Sequence, residues 1–389
     1  MPYFDHNSTT PLADSAREAW LRLQAENWHN PSSPTRAAAR AKIRLESYHE
    51  ALAVLLGGAA KNYIFNSGAT EGAHAVLGYW AKVMPADARI AVAATEHAAV
   101  LAAAARFFPG RVDWLAHDRA GLVSAEAVRA AIAGGAAGVV VMAANNETGV
   151  IQPWVDIEAA CRAGREGSAS GGGNGVPFLC DATQWLGKLP GAGLGAGGAW
   201  VIASGHKFGA PKGVGFVKLP EGREEPDFIS QGGGLQEGGH RAGTEDVAGI
   251  AALSAALVEA EQKHVVWESQ RLRWRESFER ELAVAVPGTA IVTADTAAER
   301  LWNTVFAIMP HGGNARWIAR LDKRDVQVST GAACTTGRDG PSHVLAALGV
   351  APEEAGRALR VSAGWGTTEA DWAALLAALR EVAGELSAG

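Results

Sequence analysis

Residues 204–209 read Ser-Gly-His-Lys-Phe-Gly, so Lys207 sits among small residues just after an apolar run. Upstream, Asp181 follows the apolar segment 176–180. A lysine partly sheltered from water is neutral enough to form a Schiff base. An acid at a strand end can keep a pyridine nitrogen protonated, so that the ring takes up carbanion electrons. Those are two parts that pyridoxal 5'-phosphate chemistry needs. Cys334 lies far downstream, in Ser-Thr-Gly-Ala-Ala-Cys-Thr-Thr-Gly-Arg-Asp-Gly, residues 329–340. Glycines around a cysteine favour exposure and movement, which a thiolate needs to reach a substrate and leave with its cargo. Lysine, acid and loop cysteine together point to sulfur chemistry on an amino acid.

Other candidates carry two readings each. Asp181 is a strand-end turn residue or a pyridinium partner, and the amide of Gln184 stands near it. Residues 66–71, Asn-Ser-Gly-Ala-Thr-Glu, form an ordinary helix cap or a phosphate cradle of backbone amides and hydroxyls. His97 is a core imidazole, or it stacks on a cofactor and moves protons near neutral pH. Asn145 and Asn146 suit a plain turn before Gly149, or one of them bonds a ring hydroxyl. Arg360 is a strand-end surface arginine or a two-point clamp for a substrate carboxylate.

The elements that must position these residues are legible as alternating patterns. Apolar runs at 63–65, 89–93, 138–143, 176–180, 200–203 and 215–218 read as strands. Segments 32–56 and 124–132 read as helices between them. Such alternation predicts an α/β fold with a mostly parallel sheet, its ligand beyond the carboxyl ends of the strands. A long helix is expected over 247–282, leading to a smaller α+β unit. The expected large domain is 15–256, and the small one joins 1–14 to 257–389 and carries Cys334. Residues 165–175 are of low complexity and read as a flexible surface loop.

Bulk properties narrow the function. The chain has 389 residues, 48% hydrophobic, with a net charge of −6 and scattered Lys and Arg. Nothing resembles a nucleic-acid footprint. No apolar run approaches the roughly 20 residues that span a bilayer, and the start has no signal-peptide pattern. Three cysteines, Cys161, Cys180 and Cys334, are too few and too far apart for a disulfide framework or a metal pair. The expected compartment is a reducing cytoplasm.

Together these segments resemble the cysteine desulfurase family of fold-type I pyridoxal phosphate enzymes, within the class V aminotransferases. The match runs from Asp-His-Asn-Ser-Thr-Thr-Pro at 5–11, through Asn-Pro-Ser-Ser at 30–33 and the motifs above, to Arg-Ala-Gly-Thr-Glu at 241–245. It continues with Pro-Ser-His-Val-Leu at 341–345 and ends at Arg360 and Thr-Thr-Glu, 367–369. The resemblance implies a seven-stranded, mostly parallel sheet in the large domain. It implies Lys207 as the Schiff-base lysine, Asp181 on the pyridinium and His97 on the ring. Asn146 and Gln184 would meet the ring hydroxyl. Ala69, Thr70, Ser204 and His206 would hold the phosphate, with Thr244 from a second subunit of a homodimer. Asn7, Asn146 and Arg360 would bind L-cysteine. Cys334 would take its sulfur as a persulfide, leaving L-alanine, and pass it to an acceptor protein.

The chain departs from the family pattern in places. His6-Asn7-Ser8 stands where Asn-Asn-Ala is usual. Gly209-Ala210 replaces an aromatic residue and Gly, Gly238 replaces an arginine, Trp365 stands in place of Arg, and 165–175 looks inserted. None removes a catalytic group. One competing reading is a lyase on selenocysteine, cysteine sulfinate or a cysteine conjugate that does not need Cys334. Another is a non-catalytic scaffold in a sulfur-transfer assembly.

Overall fold

Six of the strands expected from apolar runs are present in the computed structural model, which describes residues 2–164, 175–222, 225–331 and 342–387. They are β1 (Tyr63–Asn66), β2 (Arg89–Val92), β4 (Ala136–Val140), β5 (Phe178–Asp181), β6 (Trp200–Ser204) and β7 (Gly215–Lys218). A seventh, β3 (Val112–Trp114), is a short, partly exposed edge strand without the apolar run that marks the others. The seven form one sheet in the order β1-β7-β6-β5-β4-β2-β3. Every neighbouring pair from β6 to β3 is parallel, and β7 runs antiparallel to both β1 and β6. The strands are apolar on both faces because helices cover both. The fold is α/β with the expected mostly parallel seven-stranded sheet.

Boundaries moved where local chemistry fixes them. The strand expected at 138–143 starts at Ala136 and ends at Val140. Beyond it, the Val141 and Ala143 amides still donate to the carbonyls of Leu179 and Asp181, which carries the chain to the sheet's carboxyl end. The helix expected from residue 32 begins at Arg36, since Pro34 disfavours helix before it and Thr35 Oγ1 caps the Ala38 amide at 3.2 Å.

A second sheet, in the order β10-β9-β8, is antiparallel: β8 (Ala290–Ile291), β9 (Thr304–Ile308) and β10 (Ala358–Ser362). The helix Val247–Ala285 joins the two cores. Its Ile250, Leu253 and Leu257 pack in the large core, and its Phe278 and Leu282 in the small one. The N-terminal segment makes a second join. Phe4 is buried in the small core, and its carbonyl accepts from the Ser362 amide at 2.8 Å. A few residues on, the Thr10 and Ala13 amides donate to the carbonyls of His206 and Gly209, beside the large sheet. Among the described residues, no helix is long and apolar enough to cross a membrane.

Gly215, the first residue of β7, fits closely between the end of β6 and the turn after β1. A Cβ on Gly215 would lie 2.3 Å from the Ala203 carbonyl and 2.6 Å from Gly68 Cα, both backbone atoms that cannot swing away. Gly215→Ala is expected to lower the midpoint of chemical unfolding by an amount equivalent to about 1–3 kcal/mol. It should also weaken cofactor retention on dialysis. An unchanged midpoint and retention would show that the close approach is not needed.

Candidate active site

The site is built at the carboxyl ends of the central strands. β6 ends at Ser204 and passes into a short 3₁₀ turn, Gly205–Lys207. Lys207 Nζ donates to the carbonyls of Asn7 and Ser8, both at 2.7 Å. Gln184 Nε2 donates to the same Asn7 carbonyl at 3.0 Å. The N-terminal segment therefore brings Lys207 and Gln184 to one acceptor.

Asp181 ends β5 and is buried, with Oδ1 accepting from the Thr183 amide at 2.9 Å. His97 caps the helix Ala98–Phe107, its Nδ1 accepting from the Ala99 amide at 3.2 Å. That bond leaves Nε2 to carry the proton of the neutral ring. Burial holds the His97 imidazole below its usual proton affinity; Asp181 pulls the other way, while Lys207, His343 and Arg360 add to the depression. These five groups thus share one electrostatic neighbourhood. Glu96, next to His97 in the chain, is fully buried, and its carboxyl is pushed well up by burial and then by Asp181.

Residues 66–71, read from the sequence as a helix cap or a phosphate cradle, form the end of β1, the turn after it and the start of the next helix. Gly68 precedes the helix Ala69–Val83 with φ 139°, a conformation suited to glycine. The Ala69 amide donates to Ser204 Oγ at 2.8 Å, which ties this helix start to the end of β6. Glu71 receives the Ser67 amide at 2.9 Å and Arg241 Nε at 3.2 Å. His206 Nδ1 meets Thr9 Oγ1 at 3.1 Å, and burial, then Lys207, Lys212 and Lys188, lower its pKa to about 4. Thr244 is exposed and lines a cavity of about 250 Å³ with Ser67 and Arg241.

Arg360 is not the strand-end surface residue of the bland reading: it sits inside β10 at 2% exposure. Its guanidinium donates to Asp5 Oδ1 at 2.7 Å, Ser8 Oγ at 2.6 Å and the Asn146 carbonyl at 3.0 Å. Among the described residues its Nε has no partner. Asn145 is the plain turn residue, its Oδ1 accepting from the amides of Glu147 and Thr148. Asn146 and Asn7 stand with Arg360, since Asn7 Nδ2 donates to the Asn146 carbonyl at 3.1 Å.

Cys334 lies outside the described residues, as do residues 165–174 of the predicted loop. The segments flanking Cys334 meet the site. The Gly331 carbonyl accepts from Arg360, Ser342 Oγ donates to Glu147, and His343 Nε2 bonds the Glu96 carbonyl at 2.8 Å. Cys161 and Cys180 are free, buried thiols; burial raises Cys161 to about 12 and Cys180 well above its usual value. Neither has the ionisation a nucleophile needs.

Sequence reasoning missed Lys188, Glu96, Asp5 and Ser8 as parts of the site. Lys188 Nζ donates to Gln184 Oε1 at 2.9 Å and is 4% exposed. Its signal was the spacing of four residues from Gln184 on the same turn. Asp5 and Ser8 lie in the opening motif at 5–11, but their bonds to Arg360 were not legible, because Arg360 meets them across 355 and 352 positions of chain.

Residues 2–375 match the class-V aminotransferase family. The chain belongs to that family. It is 36% identical over 381 residues to a cysteine desulfurase of Frankia sp. (strain EuIK1), covering 95% of this chain and 88% of that one. It is 35% identical to an IscS-like cysteine desulfurase of Mycobacterium tuberculosis, covering 97% and 95%. A solved NifS-like protein superposes with a TM-score of 0.87 at 27% identity, over 99% of both chains. The fold is that of the fold-type I pyridoxal phosphate enzymes, as the resemblance implied.

The residues of this class-V chain fit that cofactor. The helix start at Ala69 and Thr70, with Ser204, suits a phosphate. Asp181 has no protein donor to Oδ2 among the described residues, which suits a ring nitrogen. Burial and the nearby charges also give the site a pH signature. His6 is pushed down to about 4, first by burial and then by Lys188, from an ordinary 6.5. The unfolded chain then binds more protons than the folded chain between those values, so stability rises with pH there. Apoprotein unfolding midpoints should fall as pH drops from about 6.5 towards 4, and less steeply in His6→Asn. Parallel curves would remove His6 as the cause.

Proposed function

We propose that this protein is a cysteine desulfurase: it takes sulfur from L-cysteine as a persulfide on Cys334, releases L-alanine and passes the sulfur to an acceptor protein. The observation that carries this reading is the gathering of Lys207, Asn7, Gln184 and Arg360 around the N-terminal segment, beside Asp181 and His97. The names of the relatives support the substrate.

When bound at Lys207, pyridoxal phosphate supplies an electron sink for the substrate's Cα. Asp181 holds the ring nitrogen's proton. Ala69, Thr70, Ser204 and His206 hold the phosphate. Thr244 reaches a second copy's phosphate in a homodimer. Trp28 and Leu235 are exposed apolar side chains at 71% and 91%, and Trp28 lines one cavity with Thr244, which favours a partner surface on this side. Arg360 and Asn146 take the substrate carboxylate. Lys207 Nζ moves the Cα proton. His97 Nε2 handles the proton of the thiol, and the Cys334 thiolate attacks the substrate sulfur; the substrate's S–Cβ bond breaks, its electron pair stays with the three-carbon fragment, and that fragment takes up a proton and leaves as L-alanine. The free thiols of Cys161 and Cys180 accord with a cytoplasmic setting.

The test is alanine released from L-cysteine with a reducing thiol present. Wild type should release alanine, and Cys334→Ala should lose at least about 100-fold, in the range of removing one essential group. Equal release from both would take Cys334 out of the reaction and favour a direct lyase. Arg360→Lys keeps the charge but loses the fork, so KM for L-cysteine should rise by about tenfold or more; an unchanged KM would place the carboxylate elsewhere.

A further inference from the structure

We propose that Lys188 is a positioning residue of the active site, which fixes the orientation of the Gln184 amide and sets a positive charge behind it. This rests on the cofactor reading above. Lys188 follows Gln184 by four residues, and its buried Nζ donates to Gln184 Oε1 at 2.9 Å. The amide's other end, Nε2, donates to the Asn7 carbonyl at 3.0 Å, the same oxygen that receives Lys207 Nζ at 2.7 Å. Reversing the amide would turn its NH₂ onto the ammonium and its oxygen onto a carbonyl. Both ends are therefore locked, and the N–H edge of Gln184 faces the Lys207 side.

The lysine itself lacks a compensating acid. No carboxylate bonds its Nζ among the described residues, and the charges that act on it are Lys207 and Arg360, both positive. His6 is a further neighbour, and it is neutral near pH 7. A buried ammonium without a counter-charge is unfavourable. Burial, then Lys207 and Arg360, bring Lys188 down to about 7 in the chain alone. A negative ring oxygen reached through the Gln184 N–H edge would restore its charge. Lys188 in turn would disfavour a proton on Lys207 Nζ, whose charge also acts on His97 and His206. The Lys188 backbone has a separate duty, since its carbonyl accepts from Trp302 Nε1 at 2.9 Å, and side-chain substitution leaves that bond in place.

The test is the pH titration of the cofactor's long-wavelength absorption band in wild-type, Lys188→Met and Lys188→Arg holoenzyme, without substrate. The midpoint should rise by about one unit, a tenfold change in proton affinity, in Lys188→Met. Lys188→Arg should stay near wild type. A Lys188→Met midpoint equal to wild type would overturn the proposal, as would an Arg variant that shifts as far as the Met variant. If Lys188→Met does not hold cofactor, Lys188→Gln is read with the same expectations. Loss of cofactor from both, with the Arg variant loaded, would also overturn it, since the residue would then serve retention rather than positioning. The readout does not depend on the substrate. A wild type with a normal band and no alanine release would count against the desulfurase reading alone, and a wild type with no band against the cofactor reading.

Discussion

The arrangement depends on one stretch of backbone, residues 5–8. Its carbonyls at Asn7 and Ser8 receive Lys207, and its side chains Asp5 and Ser8 receive Arg360. Lys207 lies in the turn that follows β6 of the large sheet, and Arg360 within β10 of the small one. Neither sheet alone could orient both. The stretch is held at both ends, by Phe4 in the small core and by Thr10 against the His206 carbonyl. A shift of either sheet would change the distance between the amine and the guanidinium. Catalysis by positioning is sensitive to about an ångström of such displacement.

Charge follows the same geometry. Lys207, Lys188 and Arg360 bring three basic side chains together, with Asp5, Asp181, Glu96 and Glu147 as acids of the same neighbourhood. The three bases suit a cofactor and substrate that bring phosphate and carboxylate groups. Burial makes each of these interactions stronger than it would be in water. The raised carboxyl of Glu96 and the lowered imidazoles of His6 and His206 have the same origin: burial disfavours the charged form of each.

Much of this was legible in the sequence because fold and chemistry share short segments. The apolar runs mark the central strands, and two of them close on residues of the candidate site: Asp181 as the last residue of β5, and Ser204 to Lys207 at and after the end of β6. What escaped had no local pattern. β3 is too short and too exposed to show a periodicity, and β8 has only two residues. Arg360 was a candidate from the start, but its burial was not legible, because Asp5 and Ser8, which hold it, lie at the other end of the chain. Lys188 looked like any lysine, since burial is a property of the folded chain. Ser8 stands where the family pattern has alanine, and only the folded chain gives it a purpose, as a hydroxyl between Asp5 and Arg360.

The central claim is that Lys207, and not its buried neighbour Lys188, carries the cofactor. The direct measurement is borohydride reduction of the holoenzyme, followed by digestion and mass spectrometry of the peptides. A reduced cofactor on Lys207, with Lys188 unmodified, is the predicted result. Label on Lys188, or on no lysine of the site, would contradict the account.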